Sequence, residues 1–199
     1  MKRSKRPFDW LVLTLSLVLC TPSAAMPQTP TLEFVGQWGG TAYAIDIDQT
    51  AIYLAVGPRL LIVDATDPSA PVEIGRSAPV PSTIVDVAVH DGYAYVTAKL
   101  YGLRVLSLTP QTSPTEVGSL LPGDCALGVC VAGDIAYVAD RYSGLLIVSI
   151  EDPAAPEVLG SIEMEDAARD VAVDGDYAYV ADSGGAVRVV SVANPAEPV

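Results

Sequence analysis

Asp86 and Asp170 stand at matching places in two copies of one repeated pattern, whose other copies carry Ala44 and Gly128 there. Brought together, two carboxylates could hold a divalent cation, Ca²⁺ being the hard ion that takes carboxylate oxygens, or a cationic ligand group. The alternative role is structural, each carboxylate accepting backbone N–H bonds from the loop that joins neighbouring units. No other arrangement of reactive side chains has catalytic spacing. His90 lies in a short turn where the other copies have Asp48, Ala132 and Asp174, with no Ser, Cys or carboxylate at nucleophile–base distance. Cys130 falls in a column otherwise filled by alanine and reads as a small buried hydrophobe. Cys125, in "LLPGDCALG", has no charged neighbour to lower its pKa. The expectation is a chain with no catalytic residues and no cofactor, Ca²⁺ at Asp86 and Asp170 being the one ion to consider.

Other polar positions read as turn chemistry. Asp140 and Asp182 precede Ser/Gly turns in "YVADRYSGL" and "YVADSGGAV", where a side-chain carboxylate caps the turn. They lack the Asp-x-Asp-x-Asp-Gly ladder of a helix-loop-helix calcium site. Asp67-Pro68 and Asp152-Pro153 shape turns in the same way. Trp38, Tyr101 and Tyr142 place aromatic rings in loops, in "QWGGTAY", "LYG" and "DRYSG", and are the candidates for recognising a peptide or a carbohydrate.

The elements that must position these residues are repeats. "LLIVDATDPSAP", "LRVLSLTPQTSP", "LLIVSIEDPAAP" and "VRVVSVANPAEP" are four versions of one phrase. Tyr53, Tyr95, Tyr137 and Tyr179 follow one another at intervals of 42 residues, as do Ile45, Val87, Val129 and Val171. Gly75, Gly118 and Gly160 close three of the units. A period near 40 suits helical arrays as well as propeller blades. The short apolar runs rich in Val, Ile and Tyr favour strands. "HDG", "AGD" and "DGD" read as hairpin turns, and the phrase prolines would break any helix running through it. Each unit then holds four short antiparallel strands, the pattern of a β-propeller blade. Ala88, Cys130 and Ala172 in the first strand, with Ala94, Ala136 and Ala178 in the second, suggest one small-residue face opposite a face of Val and Tyr.

"LLIVDATDPSAPVEIG" (Leu60–Gly75) and "RDVAVDGDYAYVAD" (Arg169–Asp182) resemble the LVIVD repeat family of secreted bacterial and archaeal proteins. The resemblance covers most of the chain and implies a β-propeller, with no catalytic motif to carry over. Copies two and four depart from the pattern, with Thr109-Pro110 and Asn194-Pro195 in place of Asp-Pro.

The resulting expectation is an all-β chain of four blades of about 42 residues, at approximately 42–76, 85–119, 127–162 and 169–199. Leu32–Trp38, "LEFVGQW", matches the last strand of a blade. It could close a four-bladed ring against the final unit, but a fragment of a larger propeller is the favoured reading.

Ahead of the repeats, residues 1–25 have a basic start, an apolar run at Trp10–Cys20 and small residues at Ser23 and Ala25, the layout of a signal peptide; residues 26–31 form a linker. Retention as a membrane anchor, or lipidation at Cys20, are the lesser alternatives. Cleavage removes four of the 11 Lys+Arg and one of the 24 acids, deepening the formal charge from −13 to −16. A surface so acidic disfavours nucleic acid and anionic lipid. The expected protein is exported, is not inserted in a membrane after cleavage, and binds a protein or carbohydrate partner. Its oligomeric state is open. Cys125 and Cys130 read as thiols unless Cys125 folds back, because five extended residues outreach a disulfide.

Overall fold

In each repeat a two-residue turn needing positive φ sits between two apolar runs, and the chain reverses there. In the second unit the turn is Asp91-Gly92, with φ of 46° and 79°, the conformation that matches hairpin geometry to strand twist. The computed structural model describes residues 41–121 and 125–199. The expected leader and linker, together with the Leu32–Trp38 strand and Trp38 itself, lie outside the described residues.

Among the described residues are fifteen β-strands and no helix. The first sheet is β1 (Ala44–Asp48), β2 (Ala51–Val56), β3 (Arg59–Asp64) and β4 (Val72–Arg76). The second is β5 (Asp86–His90), β6 (Tyr93–Thr97), β7 (Leu103–Ser107) and β8 (Thr115–Leu120). The third is β9 (Ala126–Ala132), β10 (Ile135–Asp140), β11 (Gly144–Ser149) and β12 (Glu157–Ile162). The fourth has β13 (Ala168–Asp174), β14 (Tyr177–Asp182) and β15 (Val187–Ser191). Each sheet is an antiparallel meander in sequence order, so the expected all-β blade architecture is the one observed. The fourth sheet has three strands among the described residues, and Val199 N–H donates to the Ser191 carbonyl at 3.1 Å.

The blades stack through three apolar layers. Tyr53, Ala55, Leu60 and Ile62 of the first meet Val87, Ala94, Val96 and Leu106 of the second. Tyr95, Leu103 and Val105 meet Val129, Ala136, Val138 and Leu146. Tyr137, Leu145 and Ile147 meet Val171, Ala178, Val180 and Val190. Each such side chain contributes about 1.5–3 kcal/mol on full burial. The phrase residues Leu60–Val63 are all buried.

The division into one small face and one large face does not hold. Ala88 is paired across the ladder with Tyr95, whereas Ala94 is paired with Val89, and such partners share a face. Each face therefore mixes a small and a large position. The Tyr of one blade packs in the layer that holds the Ala of the next blade's second strand, Tyr53 with Ala94 being the first instance.

The closing glycines have a steric reason. A Cβ on Gly75 would fall on the Gln111 carbonyl oxygen of the next blade, one on Gly118 on that of Pro153, and one on Gly160 on that of Pro195. The turn of each phrase thus presses its backbone onto the outer strand of the preceding blade. Beside each glycine the third and fourth strands carry a bulge, between Ile62 and Val63, Val105 and Leu106, and Ile147 and Val148.

Candidate functional site

Strands β1, β5, β9 and β13 are the innermost of their blades, and one edge of each has no strand neighbour. Their spare N–H groups are met by aspartates. Asp86 Oδ1 accepts from Val87 N–H at 2.9 Å, and its Oδ2 accepts from Val129 N–H of the next blade at 2.8 Å. Asp46 repeats the arrangement, Oδ1 accepting from Ile47 N–H at 2.8 Å and Oδ2 from Val89 N–H at 2.6 Å. Asp170 Oδ1 accepts from Val171 N–H at 2.9 Å. Cys130 stands in the same column as Asp46 and takes the Val173 N–H; burial pushes its thiol above the usual range.

Asp86 and Asp170 do converge. Both line one open cleft of about 270 Å³ at the mouth of the axis, with Tyr43, Gly128 and Arg169. Burial raises the Asp86 carboxyl above the ordinary aspartate range; the two N–H bonds oppose that rise, and the charges of Asp170 and Asp46 add to it. Among the described residues, no three His, Cys, Asp or Glu side chains are grouped to hold a metal ion. With both Asp86 oxygens occupied by N–H donors, this geometry binds backbone to backbone across blades. Asp46 escaped the sequence reading because it stands two positions beyond the Asp86 column; the usable signal is an acid at either inner-strand position that faces the next blade.

The remaining acids cap turns. Asp140 is buried and accepts N–H bonds from Cys125, Tyr142 and Ser143 at 3.1, 3.2 and 3.0 Å. Asp182 accepts from Ala186 N–H at 2.9 Å and from Arg188 Nε at 2.8 Å, and the Arg188 bond holds its carboxyl below the usual range. Asp67, ahead of Pro68, takes the Ser69 N–H and hydroxyl at 2.9 and 2.6 Å, and Asp152, ahead of Pro153, takes the Ala154 N–H at 3.0 Å. Cys125 and Cys130 are both free thiols, and His90 Nε2 lies 3.5 Å from Asp91 Oδ2.

A meander gives each blade two ends. Turns from first to second strand and from third to fourth lie at the lower end. Those from second to third, and the connections to the next blade, lie at the upper end, where Lys99 bridges to Ala126. Tyr101 and Tyr142 are both on upper-end loops. Tyr142 is 62% exposed with the Arg141 guanidinium 5.1 Å from its ring centroid, and Arg104 lies 6.0 Å from that of Tyr101. Leu100, 71% exposed, and Leu121 add apolar surface to the same rim. Positive charge is confined to the upper end, which also carries acids such as Glu163, Glu165 and Asp166, a distribution that single-residue reading missed. All seven Lys and Arg beyond residue 25 (Arg59, Arg76, Lys99, Arg104, Arg141, Arg169 and Arg188) fall within two residues of an upper-end loop. The lower-end turns carry Asp48, Asp67, Asp91, Asp134, Asp152 and Asp176 and neither Lys nor Arg.

Comparison with solved structures gives likeness of fold. The crystal structure of the computationally designed Ika4 protein matches with a TM-score of 0.64 at 10% identity, covering 82% of this chain and 98% of Ika4. The computationally designed Ika8 protein matches with the same TM-score and identity over 77% of this chain, which spans only 46% of Ika8. No match is found among curated proteins. The LVIVD repeat model matches four times, at residues 39–78, 84–121, 123–163 and 166–199. Those matches follow the four blades, each taking in the phrase and the first three also the closing glycine and bulge that lock one blade to the next: the chain belongs to the LVIVD repeat family.

Proposed function

We propose that this repeat module is exported, carries out no catalysis, and binds a protein partner through the loops at its upper end. The observation that carries the reading is the rim itself. Leu100, Tyr101, Leu121 and Tyr142 are exposed there, among all the cations of the repeat region. Aromatic and Arg side chains are enriched at protein interfaces and supply most of their hot spots, which favours a protein over a sugar polymer. The cation-free lower end repels the acidic surfaces of many exported proteins and of nucleic acids, whereas the upper end does not. Export rests on the basic start, apolar run and small residues of 1–25. The acids of the axis and turns are engaged in holding backbone, which supports a scaffold carrying a recognition rim. The alternative is a propeller enzyme or metal-dependent binding protein, with a cation held by Asp86 and Asp170; it is tested by titrating the chain with Ca²⁺ in a calorimeter.

The direct test places a photo-cross-linking residue at Tyr142 and, separately, at Asp176 on the lower end, with the chain produced in its own host. The expected result is a discrete protein adduct from position 142 in the exported fraction, lost when Tyr101 is changed to Ala. Adducts of equal yield from position 176, an adduct that is polysaccharide, or none at all would overturn the reading.

A further inference from the structure

The tyrosine column runs through the seams between blades, and successive seams treat its hydroxyls differently. Between the first and second blades, Tyr53 accepts a hydrogen bond from Gln111 Nε2 at 3.1 Å. Between the second and third, Pro153 stands in the place of Gln111. The equivalence is steric as well as sequential: a Cβ on Gly75 would meet the Gln111 carbonyl oxygen, and one on Gly118 that of Pro153. Proline brings no side-chain donor, and the Tyr95 hydroxyl has no hydrogen-bond partner among the described residues. Tyr95 is 1% exposed. Since no buried side-chain oxygen among those residues is left without a partner, the sliver of Tyr95 that solvent reaches includes its hydroxyl.

That hydroxyl opens into a cleft of about 290 Å³ among the lower-end turns, which Tyr95 lines together with Tyr93, His90, Asp91, Asp134 and Glu151. Burial is the main reason the Tyr95 phenol is pushed up to about 12, and Tyr93, Asp91 and Asp134 add to the rise. Both acids are therefore close enough to be felt at the hydroxyl, and the phenol stays neutral. No fixed cation offsets the carboxylates. The lower-end turns hold neither Lys nor Arg, and Asp91 has only His90 Nε2 at 3.5 Å. This combination occurs in one seam. The next seam repeats Tyr137 and Pro195 but has Ala132, Ile135 and Ala193 in the columns of His90, Tyr93 and Glu151; the preceding one has Ala51 for Tyr93 and Thr109 for Glu151.

We propose that this cleft binds a small primary ammonium compound, an N–H of which donates to Tyr95 Oη while Asp91, Asp134 and Glu151 balance its charge beside the Tyr93 ring. A recessed phenol oxygen without a partner calls for a donor. Three carboxylates call for a cation, and aromatic rings beside them favour an organic one. A metal ion suits the site less, because among the described residues no three His, Cys, Asp or Glu side chains are grouped to hold one. The volume lies at the small end of ligand sites, which fits a whole small molecule. The site is at the opposite end from the aromatic rim and stands independently of the partner proposed there.

The test is an NMR titration of the purified full chain with butylammonium chloride, followed at the backbone amides of Tyr93, Asp134 and Glu151. Saturable shifts with a dissociation constant of about 1 mM or tighter are expected. Tetramethylammonium, an isomer of the same charge with no N–H, is expected to bind at least about tenfold more weakly. Tyr95→Phe keeps the buried ring and removes the acceptor, and should weaken butylammonium by about tenfold or more. Pro153→Gln supplies the donor that Gln111 gives to Tyr53 and should abolish binding, whereas Tyr137→Phe in the next seam should change nothing. Glu151→Gln, at an exposed position that folding does not need, should weaken binding severalfold. Shifts that fail to saturate by about 20 mM, equal binding of the two isomers, or full binding by Tyr95→Phe, Pro153→Gln or Glu151→Gln would overturn the proposal. So would a capped lysine amide that binds about tenfold tighter than butylammonium, because the ammonium would then belong to a polypeptide.

Discussion

Asp86 Oδ2 and the Val129 N–H meet at 2.8 Å across the seam between the second and third blades, in a carboxylate that also holds Val87 of its own blade. The acid sits where the innermost strands have no further strand to bond, so one side chain does the work of a missing ladder on two sheets. Burial and two neighbouring acids oppose its ionisation, and the two N–H groups favour it.

The first prediction concerns that balance. Because its carboxyl is raised in the folded chain, Asp86 binds its proton more tightly folded than unfolded. Its contribution to stability is therefore present at low pH and declines as pH rises from the ordinary aspartate value of 3.8 through the folded one. Asp170→Asn and Asp46→Asn are each expected to move the Asp86 titration downward, Asp170→Asn by more. Carbon-detected NMR titration of the side-chain carboxyls reads this directly, and an unmoved Asp86 would show that the three acids do not sense one another.

A second prediction separates two uses of glycine. Gly118→Ala drives a Cβ into the Pro153 carbonyl of the next blade, a backbone atom that cannot swing aside. It should cost about 1–3 kcal/mol or more in denaturant unfolding. Gly133→Asn needs only a positive φ of 58° in open space. Gln49 and Asp91 already occupy that column at 56° and 46°, so the cost there should stay within about 1 kcal/mol. Equal losses at both sites would mean that blade contact is not what Gly118 serves.

The blades were legible because a 42-residue period lays four copies side by side, and strand, hairpin and phrase recur in each. The sorting of side chains to faces was less so. Ala88 and Ala94 look alike in sequence, yet the ladder pairs them with Tyr95 and Val89 on opposite faces, since an offset fixed by the hairpin decides which face each takes. Asp46 was invisible to column matching, because an acceptor for the next blade's N–H can be mounted at either of two strand positions. The confinement of positive charge to one end emerges only when all the strands are oriented together. The aromatic rim could be named residue by residue, but its placement at one end depends on the meander.

A third prediction follows from Asp182, whose carboxyl is held down chiefly by the Arg188 bond and next by the Ala186 N–H. A lowered folded pKa means that its stabilisation is complete above the unfolded value of 3.8 and is lost as pH falls through the folded one. Arg188→Met should therefore destabilise the fourth blade at neutral pH, and the difference from the unsubstituted chain should shrink as pH falls below 3.8. Urea midpoints measured across that range give the comparison; a constant gap would assign the effect to lost packing of the arginine stem.

The tyrosines supply the last prediction, because one residue type is used in two environments. Tyr53 and Tyr137 are buried between blades, and Tyr53 also accepts a hydrogen bond at its hydroxyl from Gln111 Nε2 at 3.1 Å. Truncating either to Ala removes a ring from a packed layer, which by analogy with other large aromatics costs about 3–5 kcal/mol. Tyr101 and Tyr142 stand on the upper rim, exposed and stacked only by arginines. Their truncation should leave stability within about 0.5 kcal/mol while reducing partner capture at the rim by tenfold or more, the usual scale for an aromatic hot spot. Thermal melts and partner pull-down yields on the same four variants give the two readouts side by side. Rim variants that melt early would make those tyrosines part of the scaffold, and core variants that lose capture without losing stability would move the binding surface into a blade seam.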